Sequence, residues 1–319
     1  MAACGRHHGF FGAVGLSGLA PWTQKVFDHV SSLNADDRLP HALLIDGPGG
    51  WGEAQLAGQI ALTLIDRGGD PRTIAHPDFR WIESEKGTIK VDQIRSLIDF
   101  MQQTAQAGSL KVVVLEEAQQ MNPSAGNALL KILEEPPPGS HLILVTDARD
   151  ALLPTVVSRC QRVSIQKATR EIVVSWLLEQ GTSAEEIEPL LIEYAGAPFR
   201  ILEAIQAERK SLWHTLKSAR DRQNNVSDAV DNLRNEDLVD VLARWARFLH
   251  RLVVEDRVGR EGVDFFDDLI ETRRMALSNT GLNRPLQLER LMFKWRELVI
   301  RDRRKIESDG RSTTAVKTN

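Results

Sequence analysis

Short apolar runs punctuate the first half of the chain at His41–Ile45, Asp78–Ile82, Lys111–Leu115, His141–Thr146 and Arg162–Ile165. Each is bounded by polar or turn-forming residues, which predicts strands rather than helices. Their apolar positions are nearly continuous instead of alternating, the pattern of strands covered on both faces in a parallel sheet. Between them apolar residues recur at helical spacing. Val91, Ile94, Ile98 and Met101 form one such stripe; Ala125, Ala128, Leu129, Ile132 and Leu133 form another, closed by Pro136–Pro138. Strands alternating with helices predict an α/β domain. After about Gln166 only helical stripes remain. One carries Leu238, Val241, Leu242, Trp245, Phe248, Leu249 and Leu252. Another carries Leu288, Leu291, Met292, Trp295, Leu298 and Val299, entered through Asn283-Arg284-Pro285.

These shifts divide the chain into an N-terminal extension over 1–20, an α/β domain over 21–165, a small helical domain over 166–207, an all-helical domain over 208–303, and a flexible tail over 304–319. The extension holds Arg6 and a Gly-rich, weakly apolar run from Gly9 to Ala20, too short to span a bilayer and too weakly apolar for a strong export signal. It reads as disordered, or as a start assigned too far upstream. The net charge of −4 argues against the whole molecule acting as an electrostatic trap for DNA, so any nucleic-acid contact is local or made through partners. Cys4 and Cys160 have neither CxxC spacing nor a histidine cluster, which argues against a disulfide scaffold and a zinc site and fits a reducing cytoplasm.

Candidate chemistry begins after the first strand. Gly47-Pro48-Gly49-Gly50-Trp51-Gly52 has the G-x-x-x-x-G frame of a phosphate-binding loop, with backbone N–H groups and a helix start available to an anion. The next two positions call for lysine, to reach β/γ-phosphates, and Ser or Thr, to hold Mg²⁺; they are Glu53 and Ala54. A carboxylate about 4 Å from a phosphate charge is disfavoured by roughly 4 kcal/mol at an effective dielectric near 20, a factor of about 10³ in affinity. The bland alternative is a Gly-rich turn that never meets a nucleotide. The strand Val112-Val113-Val114-Leu115 ends in Glu116 and Glu117, like a Walker B motif whose metal-orienting Asp has become Glu116. Two matched losses suggest a retired ATPase.

The block Asn127-Ala128-Leu129-Leu130-Lys131-Ile132-Leu133-Glu134-Glu135-Pro136-Pro137, followed by Ser158-Arg159-Cys160, resembles the signature helix and SRC motif of bacterial clamp-loader subunits. Pro21-Trp22, Gly196-Ala197-Pro198-Phe199-Arg200 and Asn283…Leu288-Glu289…Leu291…Trp295 match as well, so the likeness runs from Pro21 to about Arg301. The degenerate loop places the resemblance with the δ′ branch. It implies an AAA+ fold: a RecA-like parallel five-stranded sheet with flanking helices, then a helical lid and an all-α collar that ties subunits together. It further implies a non-hydrolysing subunit of DNA polymerase III with γ/τ and δ subunits as partners, reaching primed DNA and the β sliding clamp through the complex. Arg159, flanked by Ser158 and Cys160, would serve as an arginine finger in a neighbour's ATP site. Guanidinium suits that task, being permanently charged and forked.

By the same resemblance Thr146 and Arg200 stand at sensor positions, with structural roles expected in the absence of a local nucleotide. No cofactor and no metal are expected. Many relatives carry a Cys-rich zinc module where this chain has Arg67-Gly68-Gly69-Asp70-Pro71-Arg72 through His76. Arg244, Arg247 and Arg251 share roughly one helical side, open to DNA phosphates or acidic partner residues, with a solvated face the preferred expectation. Cys160 reads as a small neighbour of Arg159 without an activating partner. Rival readings are an active γ/τ-type ATPase and a P-loop kinase, the second of which requires a lysine after Gly52.

Overall fold

The computed structural model describes residues 19–312, apart from 86, 210, 221–225, 255–257 and 279–280, with side chains as far as 299 except those of 217 and 220. The extension over 1–18 lies outside the described residues. Helix α1 (Pro21–Ala35), not foreseen from the apolar pattern, starts on a proline, whose missing N–H is no loss in a first turn. There follow β1 (Ala42–Asp46), α2 (Glu53–Leu64), β2 (Phe79–Ile82), α3 (Val91–Gln102), β3 (Lys111–Leu115), α4 (Pro123–Glu134), β4 (Ser140–Thr146), the short α5 (Pro154–Val157) and β5 (Gln161–Ser164).

The five strands form one parallel sheet in the order β2-β3-β4-β1-β5. Strands β1, β3 and β4 are buried almost throughout, while the edge strands β2 and β5 are half exposed. That is why the central runs are continuously apolar. On one side Leu44, Val113, Leu115, Leu142 and Leu144 share a core with Ile94, Leu97 and Met101 of α3 and Leu129 and Ile132 of α4. Asp78 stands one residue ahead of β2. Its buried carboxylate accepts hydrogen bonds from the N–H groups of Gln106 (2.8 Å), Ala107 (2.7 Å) and Gly108 (3.2 Å) and faces Lys111 Nζ at 3.4 Å.

The described residues divide into two compact units, one ending at Trp176 and the other starting at Leu177, with the boundary inside α6 (Arg170–Glu179). The second unit holds α7 (Ala184–Glu193), α8 (Pro198–Gln206), α9 (Leu212–Arg220), α10 (Val226–Leu233), α11 (Leu238–Val254), α12 (Arg260–Leu277) and α13 (Arg284–Ser312). Both apolar stripes read from the sequence meet in its core. Trp245 lies edge-on to Phe265 and Trp295 at 5.6 and 6.2 Å between ring centroids, and Trp295 Nε1 donates to the Leu216 carbonyl at 3.1 Å.

One expectation is overturned here. Arg244 is fully buried, not on a solvated face. Its guanidinium bonds to Glu236, lies 3.1 Å from Asp240 and 3.6 Å from Glu193, and stacks near the Tyr194 ring. Arg247 turns the same way and donates to the Glu193 carbonyl, leaving Arg251 exposed. The cause is Glu193 at the end of α7, itself 1% exposed and already accepting from Trp213 N at 2.8 Å. A carboxylate buried that deeply demands a cation beside it.

Candidate functional site

The glycine loop joins β1 to α2. Gly49, Gly50 and Gly52 have φ of 83°, 77° and 100°, the left-handed region that side chains avoid, and the turn gathers successive N–H groups inward. What they gather is a carboxylate of the same chain. Glu53, 6% exposed, accepts from Gly49 N through Oε1 at 2.9 Å and from Trp51 N through Oε2 at 2.8 Å. It lies so closely over Gly47 that a Cβ there would meet Oε1 at 2.2 Å. Two of the N–H groups that a loop of this kind turns toward phosphate, those of Gly49 and Trp51, are therefore spent on Glu53. Trp22 of α1 seals the outside: its Nε1 donates to the Trp51 carbonyl at 2.7 Å, and its ring lies edge-on to Trp51 and Trp176 at 5.8 and 5.2 Å. Of Ala54, in the first turn of α2, only the methyl group is available, and it offers no ligand oxygen.

Glu116, expected to stand at a metal-orienting position, is paired from within as well. Arg72 Nη2 donates to both oxygens of Glu116, at 2.6 and 2.7 Å, and Trp81 Nε1 adds a bond of 3.0 Å. Arg72 also pairs with Glu83 at 3.3 Å and stacks 5.3 Å from the Trp81 ring. Burial pushes the Glu116 carboxyl above its ordinary range, against the opposing pull of Arg72. Glu117 is exposed, with φ of 52°, and accepts from Ser84 Oγ at 2.5 Å. The segment read as lacking a zinc module thus supplies the cation for Glu116, a role that the sequence did not disclose. Among the described residues no group of three or more His, Cys, Asp or Glu could hold a metal ion.

Ser158-Arg159-Cys160 lies between α5 and β5. Ser158 Oγ donates to the Thr155 carbonyl at 3.1 Å, and Cys160 is half-buried, its thiol pushed up to about 12 by burial. The Arg159 side chain is 37% exposed; Nη1 donates to the Thr155 carbonyl at 3.0 Å and Nη2 pairs with Glu134 at 2.6 Å. The signature helix α4 explains that pairing. Asn122 caps its start by accepting from Ala125 N at 2.8 Å, and the prolines after Glu135 end it beside the SRC segment. Gly126 lets Leu153 approach, since a Cβ there would lie 2.8 Å from Leu153 Cδ1.

Sheet polarity separates these features. The glycine loop and Glu116 follow the carboxyl ends of β1 and β3, and Thr146 is the last residue of β4, while Glu134 and Arg159 precede the amino ends of β4 and β5. A five-residue strand spans ~16 Å, so the length of the sheet stands between Arg159 and its own chain's loop. Thr146, 1% exposed, accepts from Ala148 N through Oγ1 at 3.1 Å, and its carbonyl accepts from Gly47 N at 3.2 Å. Asp46 ties in the edge strand, accepting from Arg162 at 2.9 and 2.8 Å and from Ser164 at 2.6 Å. Arg200 is exposed on the first turn of α8, in the second unit.

The family described as DNA polymerase III, delta subunit, matches residues 22–169. A DNA polymerase III subunit δ′ of Pseudomonas aeruginosa is 29% identical over 327 residues, which cover 89% of this chain and 99% of that relative. The chain belongs to the δ′ family of DNA polymerase III subunits. A second δ′ relative, from Haemophilus influenzae, is 30% identical across 60% of this chain and 63% of its own length. Among solved structures, a DNA polymerase III γ-subunit-related protein of Thermotoga maritima matches with a TM-score of 0.57 at 18% identity, covering 84% of this chain and 99% of that one. That likeness is one of fold, and the fold is the AAA+ arrangement of a five-stranded parallel sheet followed by helices. As a δ′ family member the chain is a clamp-loader subunit that serves DNA replication. Among the described residues no helix is long and apolar enough to cross a membrane.

Proposed function

We propose that this δ′ family member does not hydrolyse ATP itself but lends Arg159 in trans to the ATP site of an adjacent γ/τ subunit, in a cytoplasmic complex with γ/τ and δ that loads the β clamp onto primed DNA. The observation that carries the reading is the Glu53 carboxylate bonded to Gly49 N and Trp51 N. A triphosphate entering the loop would have to expel a buried anion from its hydrogen bonds, and a like charge left close by would repel it by roughly 4 kcal/mol. Thr146 and Glu116 are spent on internal partners in the same way. Arg159 stands at the opposite end of the sheet with its guanidinium partly open to solvent. From there it can serve only another molecule's phosphate, where a fixed positive charge counters the negative charge that builds up in phosphoryl transfer. Ser158 and Cys160 shape the turn that presents it, and no reactivity is assigned to the thiol.

Two measurements test this. Calorimetric titration of the purified chain with Mg–ATP is expected to show no binding at micromolar concentrations; tight binding with turnover would establish the rival γ/τ-type ATPase. In a reconstituted complex, Arg159→Ala is expected to lower ATPase strongly, with the roughly 10³–10⁵-fold effect of arginine fingers in GTPases as the upper bound. Activity within about twofold of the parent complex refutes the role.

A further inference from the structure

Resting on the reading of Arg159 as a trans-acting arginine, we infer that Glu134 is its positioning residue: the carboxylate at the end of α4 aims the guanidinium before a partner's nucleotide arrives. The guanidinium is gripped on two sides, Nη1 by the Thr155 carbonyl at 3.0 Å and Nη2 by Glu134 Oε1 at 2.6 Å. Guanidinium carries five N–H bonds in a rigid fork, so two contacts leave three for a phosphate. Glu134 therefore orients the group without using it up.

The carboxylate is itself well placed to aim. Helix α4 ends at Glu134, and His41 Nε2 lies 3.1 Å from the carbonyl of the preceding Leu133. Earlier in the helix, Gly126 admits Leu153 into close contact, so α4 meets the Leu153–Arg159 segment at two separate points. Both partners are partly exposed, at 37% and 51% for the side chains. A half-exposed pair is a weak tie. It biases the rotamers of a long, flexible side chain, yet a multiply charged phosphate can draw the same arginine forward.

The test uses the reconstituted clamp loader. Glu134→Ala is expected to lower ATP turnover roughly fivefold at unchanged KM, the pattern of an interaction felt in the transition state, and by the scale of a weak ion pair. Glu134→Gln, which keeps an acceptor oxygen, is expected to retain more activity than Glu134→Ala. In an Arg159→Ala complex, Glu134→Ala is expected to have no further effect, because its only route is through the arginine. The inference alone is overturned if Arg159→Ala impairs turnover and Glu134→Ala does not, or if Glu134→Ala costs as much without Arg159 as with it. An Arg159→Ala complex of full activity overturns the trans-arginine reading and this inference together. Melting curves of the isolated variants, with Glu134→Gln as the nearly isosteric reference, separate misfolding from mispositioning.

Discussion

Replacing Glu53 with alanine removes the anion from the glycine loop, and the consequence can be worked out from its bonds. Gly49 N and Trp51 N each lose a partner, in a loop where Glu53 is almost wholly buried. Hydrogen bonds to charged groups contribute about 1.5–3 kcal/mol each, and water entering the vacated space recovers part of the loss. A net destabilisation of roughly 2–4 kcal/mol follows, which for a domain of this size lowers the melting temperature by roughly 5–15 °C. Thermal unfolding followed by circular dichroism in phosphate-free buffer measures it. Adding inorganic phosphate is expected to raise the melting temperature of the Glu53→Ala chain and not that of the parent, since only an emptied cradle can bind an anion. Gly47→Ala provides an internal control. A Cβ at that position meets Glu53 Oε1 at 2.2 Å and Gly47 φ is not left-handed, so the substitution destabilises by displacing the carboxylate and is nearly silent once Glu53 is alanine. A Glu53→Ala chain that melts within about 1–2 °C of the parent, or a Gly47→Ala cost equal in both backgrounds, refutes the reasoning.

Three further outcomes follow from other parts of the molecule. Arg244→Met leaves the Glu193 carboxylate buried without its cation and is expected to cost about 3–5 kcal/mol in denaturant unfolding, against about 0.5 kcal/mol or less for a solvated face. Burial works to raise the Asp268 carboxyl, but Lys294 and Arg290 outweigh it and hold it below the ordinary 3.8. A carboxyl that binds protons less readily in the fold adds stability that is complete above 3.8 and drains away as pH falls below it. Asp268→Asn is therefore expected to lower the melting temperature at neutral pH and to flatten its decline on acidification; parallel declines in variant and parent count against this. In a Cys4→Ser chain, the remaining Cys160 thiol, pushed up to about 12, is expected to alkylate far more slowly at pH 8 than a free peptide cysteine, which mass spectrometry over time will decide.

The sheet was legible because its signal is local. Each central strand is a short buried run between polar boundaries, and the observed strands start and end within one residue of the predicted ones. Helices α3, α4, α11 and α13 were legible through their spacing. What escaped detection depends on partners far apart in the chain. Arg244 looks like a surface residue until Glu193 is brought against it, and Arg72 is an ordinary loop arginine until folding sets it on Glu116. Helix α1 has a weak apolar pattern, and the contact of Trp22 with Trp51 exists only in three dimensions. Glu53 is the instructive case. Its charge marked the loop as hostile to phosphate, but its own place in the loop follows from the left-handed glycines ahead of it, which turn two N–H groups back onto a side chain only two and four residues away. An acid directly after such a glycine run is a readable clue to that arrangement.

The filled loop also bears on what it would take to open it to a nucleotide. Exchanging Glu53 for lysine strips Gly49 and Trp51 of their partner and sets a cation into a cleft that still lacks its anion, while Arg72 continues to grip Glu116. Undoing the Arg72 contact first strands a half-buried carboxylate instead. Either change alone removes the partner of a buried or half-buried group, so the two contacts make the loop costly to alter one residue at a time.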